Sequence, residues 1–254
     1  MKVIINADDC GFNHHVNQRI GVAIDAGKIT STTIMANMSD LNGALELYDR
    51  YHDRVSFGAH LNLTEGSPII ASKPLLEFGF YIEKDDSLFF DGKKVESYHY
   101  KHLPNYICEE VYKELAAQIK LIQEGGVKIS HLDSHHHIHT SLSLIGVMAQ
   151  ISKDYNLPKV RRIRNYVSSP ISFIGRQAWT FISMMNNRNY IFTDYFAIFK
   201  EYFANPALKN IKESDVLELM IHPGHQMKSY QNEEQLMLDI DYPKVFELIN
   251  YNDL

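Results

Sequence analysis

Short β-branched and aliphatic runs alternate with stretches whose apolar positions recur every three or four residues, and that alternation confines the chain to a parallel α/β architecture. Val3-Ile4-Ile5-Asn6-Ala7 reads as a buried strand, after which Val16, Ile20, Ala23 and Ile24 recur at helical spacing up to Gly27. Thr32-Thr33-Ile34-Met35 is a second strand, Leu41 to Tyr48 a second helix, and Val55-Ser56-Phe57-Gly58-Ala59 a third strand running into His60. Ile107, Val111, Leu115, Ile119 and Ile122 mark a longer amphipathic helix, stopped by Gly125-Gly126. Val127-Lys128-Ile129 is then expected to be a strand, followed by a helix near Leu142 to Ile151, a strand around Val160 to Ile163 and a last one from Val216 to Ile221. Such a chain makes an open, doubly wound sheet or a closed (β/α) barrel, and we favour the barrel. Residues 66–104 break the rhythm with Phe78, Phe80, Tyr81, Phe89, Phe90, Tyr98 and Tyr100 among charged and glycine positions. They are expected to form an insertion over one end of a single domain spanning residues 1–254.

Charge and apolar patterning exclude two classes of partner. The formal net charge of -6, with no clustered basic face, argues against nucleic acid as the main partner. No run of eighteen apolar residues exists, and Met1-Lys2 leads straight into a strand, so no membrane partner and a cytoplasmic location are expected. Cys10 and Cys108 are too far apart in sequence to suggest a disulfide framework or a thiolate zinc site.

The run His131-Leu132-Asp133-Ser134-His135-His136-His137-Ile138-His139 places five imidazoles and a carboxylate in nine residues. A solvated low-complexity tract would explain it only if it lay outside the folded pattern. In extended chain His131, Asp133, His135, His137 and His139 would share one side, so the imidazoles are expected to divide between ligation and support. Parallel α/β folds concentrate chemistry at the carboxyl ends of their strands. Asp8-Asp9, His60, His135 and His222 each stand at such an end. Taken singly, Asp8-Asp9 also reads as a turn or helix-cap pair, and His60 as a core histidine bonded to backbone. Four coinciding strand ends favour a shared metal centre. His222, in Ile221-His222-Pro223-Gly224-His225, suits a general acid, with His225 its rival.

Asn6-Ala7-Asp8-Asp9-Cys10-Gly11, Gly58-Ala59-His60-Leu61-Asn62-Leu63-Thr64-Glu65-Gly66, the histidine run and Met220-Ile221-His222-Pro223-Gly224 occur in an order that resembles the YdjC-like carbohydrate deacetylases, as does Thr30-Ser31-Thr32-Thr33. The resemblance implies a distorted, TIM-barrel-like (β/α) barrel related to polysaccharide deacetylases. It further implies removal of acetyl groups from N-acetylated mono- or oligosaccharides such as chitin-derived ones. Carried over by position, one divalent metal ion, magnesium or zinc, is held by Asp9, His60 and His135. Asp8 is the general base, His222 the acid, and Arg161 lies beside the base with Arg164 as its alternative. Cys10 stands where the family commonly has phenylalanine, and is read as a packing variation.

The reaction so implied is metal-assisted amide hydrolysis. By donor softness an Asp-His-His set suits zinc, iron, cobalt or nickel better than magnesium. The rival readings are a metallophosphoesterase on a similar barrel and a non-catalytic sugar-binding barrel. Aromatic residues of the insertion, Tyr81 and Phe89 among them, are expected either to stack on sugar rings or simply to pack. Apolar positions around Phe192 to Phe203 suit a homodimer, which the resemblance also implies.

Overall fold

The computed structural model of the protein describes residues 1–165, 189–204, 211–227, 230 and 232–254. Strand β1 (Lys2–Cys10) is buried along all but its first residue and lies at the centre of a parallel sheet. A strand covered on both faces must read as a continuous apolar run, and Val3-Ile4-Ile5 does. On one side β1 pairs with β2 (Ser31–Ile34), which leads to β3 (Ser56–Leu61) and β6 (Leu132–Ser134). On the other it pairs with β8 (Val216–Ile221), then β7 (Tyr195–Ile198). Isolated parallel bridges Leu132–Val160 and Lys159–Ile191 carry the pairing past β6 to residue 191, shortly before β7. The sheet is therefore curled, consistent with a (β/α) barrel-like fold.

Helices α1 (His14–Asp25), α2 (Leu41–Tyr51), α5 (Asn105–Glu124) and α6 (Ile145–Asp154) cover the sheet where periodicity expects them. Asn13 and Asp40 cap the first two by accepting from Val16 and Gly43 N–H. Two strand expectations need correction. Val127 N–H still bonds back to Ile122 O at the helix end, so residues 127–129 are connection, and pairing with β3 begins at Ser130, whose N–H reaches Phe57 O. Around Val160 only the isolated bridges form, instead of a strand to Ile163.

Residues 66–104 hold α3 (Lys73–Phe78), an antiparallel hairpin of β4 (Tyr81–Lys84) and β5 (Ser87–Phe90), and α4 (Gly92–Glu96). Tyr81 is only 2% exposed, and its hydroxyl donates to Ile70 O. Phe78, Phe80 and Tyr98 contact one another ring to ring. Of the two readings of these aromatics, packing therefore holds for Tyr81, which cannot reach a sugar. Burial is mixed from Phe192 to Phe203. Phe196 and Phe199, the latter opening α7 (Phe199–Ala204), are buried, while Phe192 and Phe203 pack against the core. Much of the apolar stretch that suggested a homodimer is therefore used in packing, with Phe192, Tyr195, Ile198 and Phe203 half-buried. Among the described residues no helix is long and apolar enough to cross a membrane.

The C-terminal segment returns beneath the sheet. After α8 (Glu233–Asp239), β9 (Glu247–Leu248) pairs in parallel with Lys2 and Val3 of β1. Tyr251 follows, fully buried, its ring stacked on His131 at 3.5 Å between centroids and 7° between planes. The other face of His131 lies against Gly58, where an added Cβ would sit 2.5 Å from a ring carbon. With Tyr251 behind it the imidazole cannot retreat. Gly58→Ala is expected to cost about 1–3 kcal/mol by overpacking, read as a lowered urea midpoint at unchanged slope. An unaltered midpoint would mean that this wall yields.

Candidate metal and acid–base site

Register between β1 and β2 slips between Ala7 and Cys10: Ala7 pairs with Thr32, whereas Cys10 pairs with Ile34. One extra residue on β1 makes a bulge, and Asp9 adopts φ 68, a left-handed conformation that aspartate tolerates better than most residues. In a regular strand Asp8 and Asp9 would face opposite sides. The bulge instead lets both carboxylates join one buried cluster with His60. Local strain of order 1–3 kcal/mol is typical of such a position.

Asp9 is surrounded by imidazoles. Its Oδ1 lies 3.1 Å from His60 Nε2 and 2.9 Å from His135 Nδ1, and its Oδ2 lies 3.0 Å from His225 Nε2. One ligand atom each from Asp9, His60 and His135 falls within 4.8 Å of the others. His60, at the end of β3, is oriented from behind: its Nδ1 is 2.7 Å from Asp133 Oδ1 and 3.1 Å from Thr33 Oγ1. That leaves Nε2 facing Asp9. A carboxylate behind a histidine is the usual way a protein fixes the ring of a metal ligand. His135 begins the turn after β6, and its buried Nε2 makes no hydrogen bond, 3.5 Å from Glu65. A buried carboxylate with two convergent imidazoles, one of them incompletely satisfied, fits a divalent cation.

Asp8 belongs to a second set. Arg161, entirely buried, grips it in a bidentate fork, Nη2 to Oδ1 at 2.6 Å and Nη1 to Oδ2 at 2.7 Å. Nη1 also meets Asp133 Oδ2 at 2.8 Å, and Nε donates to Glu218 Oε1 at 2.7 Å. Arg164 instead turns outward to Glu201. Of the two arginines, only Arg161 touches Asp8. His222 Nε2 stands 4.0 Å from Asp8 Oδ2, while its Nδ1 lies 3.4 Å from Glu233 Oε2 and its ring stacks on Tyr230. His225 faces Asp9, not Asp8, and rests against Phe12. Both rivals thus reach the cluster, at different carboxylates.

Electrostatics follow from this crowding. Burial works to raise Asp8, but the Arg161 charge and hydrogen bonds outweigh it and hold the carboxyl well below the usual range. Asp9 is likewise held low, burial being outweighed by His135 together with His225 and His60. Burial opposes charge on His60, yet Asp133, Asp9 and Asp8 together push it up to about 10. His135, on the same balance with Asp9 and Glu65, rises to about 9. Burial pushes the Cys10 thiol up to about 12, with Asp40 and Asp9 adding to it, so Cys10 is inert filler beneath the site.

The histidine run does not share a single face. His136 and His137 adopt φ 50 and φ 55, so the chain coils into a short turn over His135–Thr140 after only three strand residues. His136 points out to Glu96 at the end of α4, and His137 packs against Phe196. His139 Nδ1 bonds to Ser134 Oγ, and His131 lies at the opposite end of β6, under Tyr251. Burial and the Arg161 charge push His137 down to about 3, leaving it neutral. Three partners escaped the sequence reading as site residues: Asp133, Glu218 and Glu233. Glu218 carried a signal, since it is the one charged residue in the apolar strand Val216–Ile221. Asp133 carried one too, as the carboxylate inside the histidine run, though the run by itself assigns it no role; Glu233 had none that separates it from ordinary surface acids.

Comparison with known proteins bears on the whole chain. The sequence model described as YdjC-like protein matches residues 2–248. A carbohydrate deacetylase of Vibrio cholerae serotype O1 is 32% identical over 229 residues, 88% of this chain and 79% of that protein. One from Clostridium beijerinckii is 26% identical over the full length of both. A carbohydrate deacetylase of Halalkalibacterium halodurans is 37% identical over 65% of each chain, and for one from Brevibacillus brevis the match spans 58% of that protein's length. Among solved structures, an Enterococcus faecalis V583 protein named for cellobiose-phosphate cleavage superposes with a TM-score of 0.76 at 24% identity, covering 99% of this chain and 98% of that one. That similarity concerns the fold.

Proposed function

Because this chain belongs to the YdjC-like protein family, we propose that it is a metal-dependent carbohydrate deacetylase, hydrolysing the acetamide of an N-acetylated mono- or oligosaccharide. The observation that carries the reading is the pair of adjacent carboxylates with different partners: Asp9 among imidazoles, Asp8 in the fork of Arg161. The names of the curated relatives support the substrate class.

Asp9, His60 and His135 would hold one divalent cation, which when bound supplies Lewis acidity toward an amide carbonyl. Two imidazoles and a carboxylate suit zinc better than magnesium. Asp8, kept ionised by Arg161, takes the proton of the attacking water as the new C–O bond forms. His222, backed by Glu233, gives a proton to the sugar nitrogen as the C–N bond breaks. The products are acetate and a free amino sugar. His222 is preferred to His225 because it stands beside Asp8, so acid and base act on one substrate atom group, whereas His225 leans on the proposed ligand Asp9.

Incubation with N,N'-diacetylchitobiose and zinc, with a generic aryl phosphate run in parallel, tests the reading. Acetate without phosphate is expected, abolished by a chelator and restored by added zinc. Phosphate without acetate would transfer the site to the phosphoesterase reading, and silence in both would leave a sugar-binding barrel.

A further inference from the structure

Glu218 and Tyr251 lie on the far side of Arg161 from the reacting groups and are entirely buried. Tyr251 Oη donates to Glu218 Oε2 at 2.6 Å, Glu218 Oε1 accepts from Arg161 Nε at 2.7 Å, and the two terminal nitrogens of Arg161 grip Asp8. An unbroken hydrogen-bonded line thus runs from the C-terminal segment to the carboxylate at the end of β1. A guanidinium is a rigid planar fork, so the anchor at Nε sets where the other two nitrogens point. A buried carboxylate with one free oxygen is costly, and Tyr251 supplies the donor that satisfies it.

Tyr251 is itself held through its ring and its backbone. Its ring rests on His131, which is wedged against Gly58 and bonded at Nδ1 to Ser130 Oγ at 2.8 Å. The Tyr251 N–H donates to Ser56 Oγ at 3.1 Å, and its carbonyl accepts from Lys159 Nζ at 2.5 Å. Ile249 N–H donates to Val3 O, continuing the seam of β9 along β1. His131, directed away from the cluster around Asp9 and toward the C-terminal segment, thereby acquires a use as the platform for this ring.

We propose that Tyr251 is a positioning residue for Asp8, acting through Glu218 and Arg161, so that the C-terminal segment sets the aim of the base from beneath the sheet. This rests on Asp8 being the base. Tyr251→Phe keeps the ring and its stack and deletes only the hydroxyl, so the fold should persist. On diacetylchitobiose, kcat is expected to fall on the order of tenfold, as for loss of an outer hydrogen-bond partner, while KM and zinc affinity stay put. Glu218→Gln combined with Tyr251→Phe should cost little more than either alone.

A second readout needs no turnover: the ¹⁵N resonance of the buried Arg161 Nε–H, expected to be sharp in the parent, should shift or broaden in Tyr251→Phe. An unmoved resonance, or kcat equal to that of an active parent, overturns the proposal. A KM rise without loss of kcat does so too, pointing to a substrate contact. Should the parent release no acetate while the resonance still moves, the positioning stands and the deacetylase reading fails instead.

Discussion

Asp8→Asn is expected to lower kcat for acetate release by about 10²- to 10⁴-fold while the protein still binds its cation. Asparagine keeps the size of the side chain and one oxygen acceptor. It loses the negative charge and presents an N–H₂ toward Arg161, where two donors then face each other. Arg161 remains compensated by Asp133 and Glu218, so the fork should not unfold the core. Asp9, His60 and His135 contact one another without Asp8, and for that reason zinc binding by calorimetry should be nearly unchanged. A variant turning over at the parental rate would remove Asp8 from the role of base. Loss of zinc together with rate would mean instead that Asp8 is a ligand.

His135→Ala should behave in the opposite way, losing cation and rate together. The ring contributes the Nδ1 directed at Asp9 and belongs to a turn instead of the sheet interior, so its removal takes away a donor without breaking a strand. Zinc affinity is expected to drop at least on the order of a hundredfold, at or beyond the range found for outer partners of a metal ligand. Asp133→Asn gives the calibrating comparison. Asp133 touches His60 Nδ1 but stands behind the ring, so its loss should weaken zinc binding by roughly ten- to a hundredfold, less than the loss of His135. Equal affinity in His135→Ala and parent would show that the cation, if any, sits elsewhere.

Local pattern revealed most of the scaffold. Periodicity located β1, β2, β3, β8 and the four longer helices, because each buries a repeating apolar face whose spacing is a property of the element itself. It failed at residues 127–129 and 160–163, where the decision between strand and connection depends on where a neighbour offers pairing groups. The aromatic insertion defeated it for a related reason: composition says that Tyr81 and Phe80 are large and apolar, not which way they turn. The same limit applies between Phe192 and Phe203, where Phe196 and Phe199 turn inward and their aromatic neighbours only in part.

At the site, residue type alone nominated Asp8, Asp9, His60, His135 and His222, since imidazoles and carboxylates at successive strand ends are conspicuous in one dimension. Which of them would meet was not. The bulge at Asp9 brings two neighbours to one cluster, the left-handed His136 and His137 scatter a run that extended chain would have aligned, and Arg161 is separated from Arg164 only by the partners each one finds. Glu218, Glu233 and Tyr251 acquire their parts from contacts spanning 57, 11 and 33 positions along the chain. Sequence by itself determined which chemical groups the protein carries and the periodic elements on which they ride, because those depend on neighbours in the chain. Tertiary structure alone decided who pairs with whom, because hydrogen bonds and ion pairs depend on distances that no local pattern encodes.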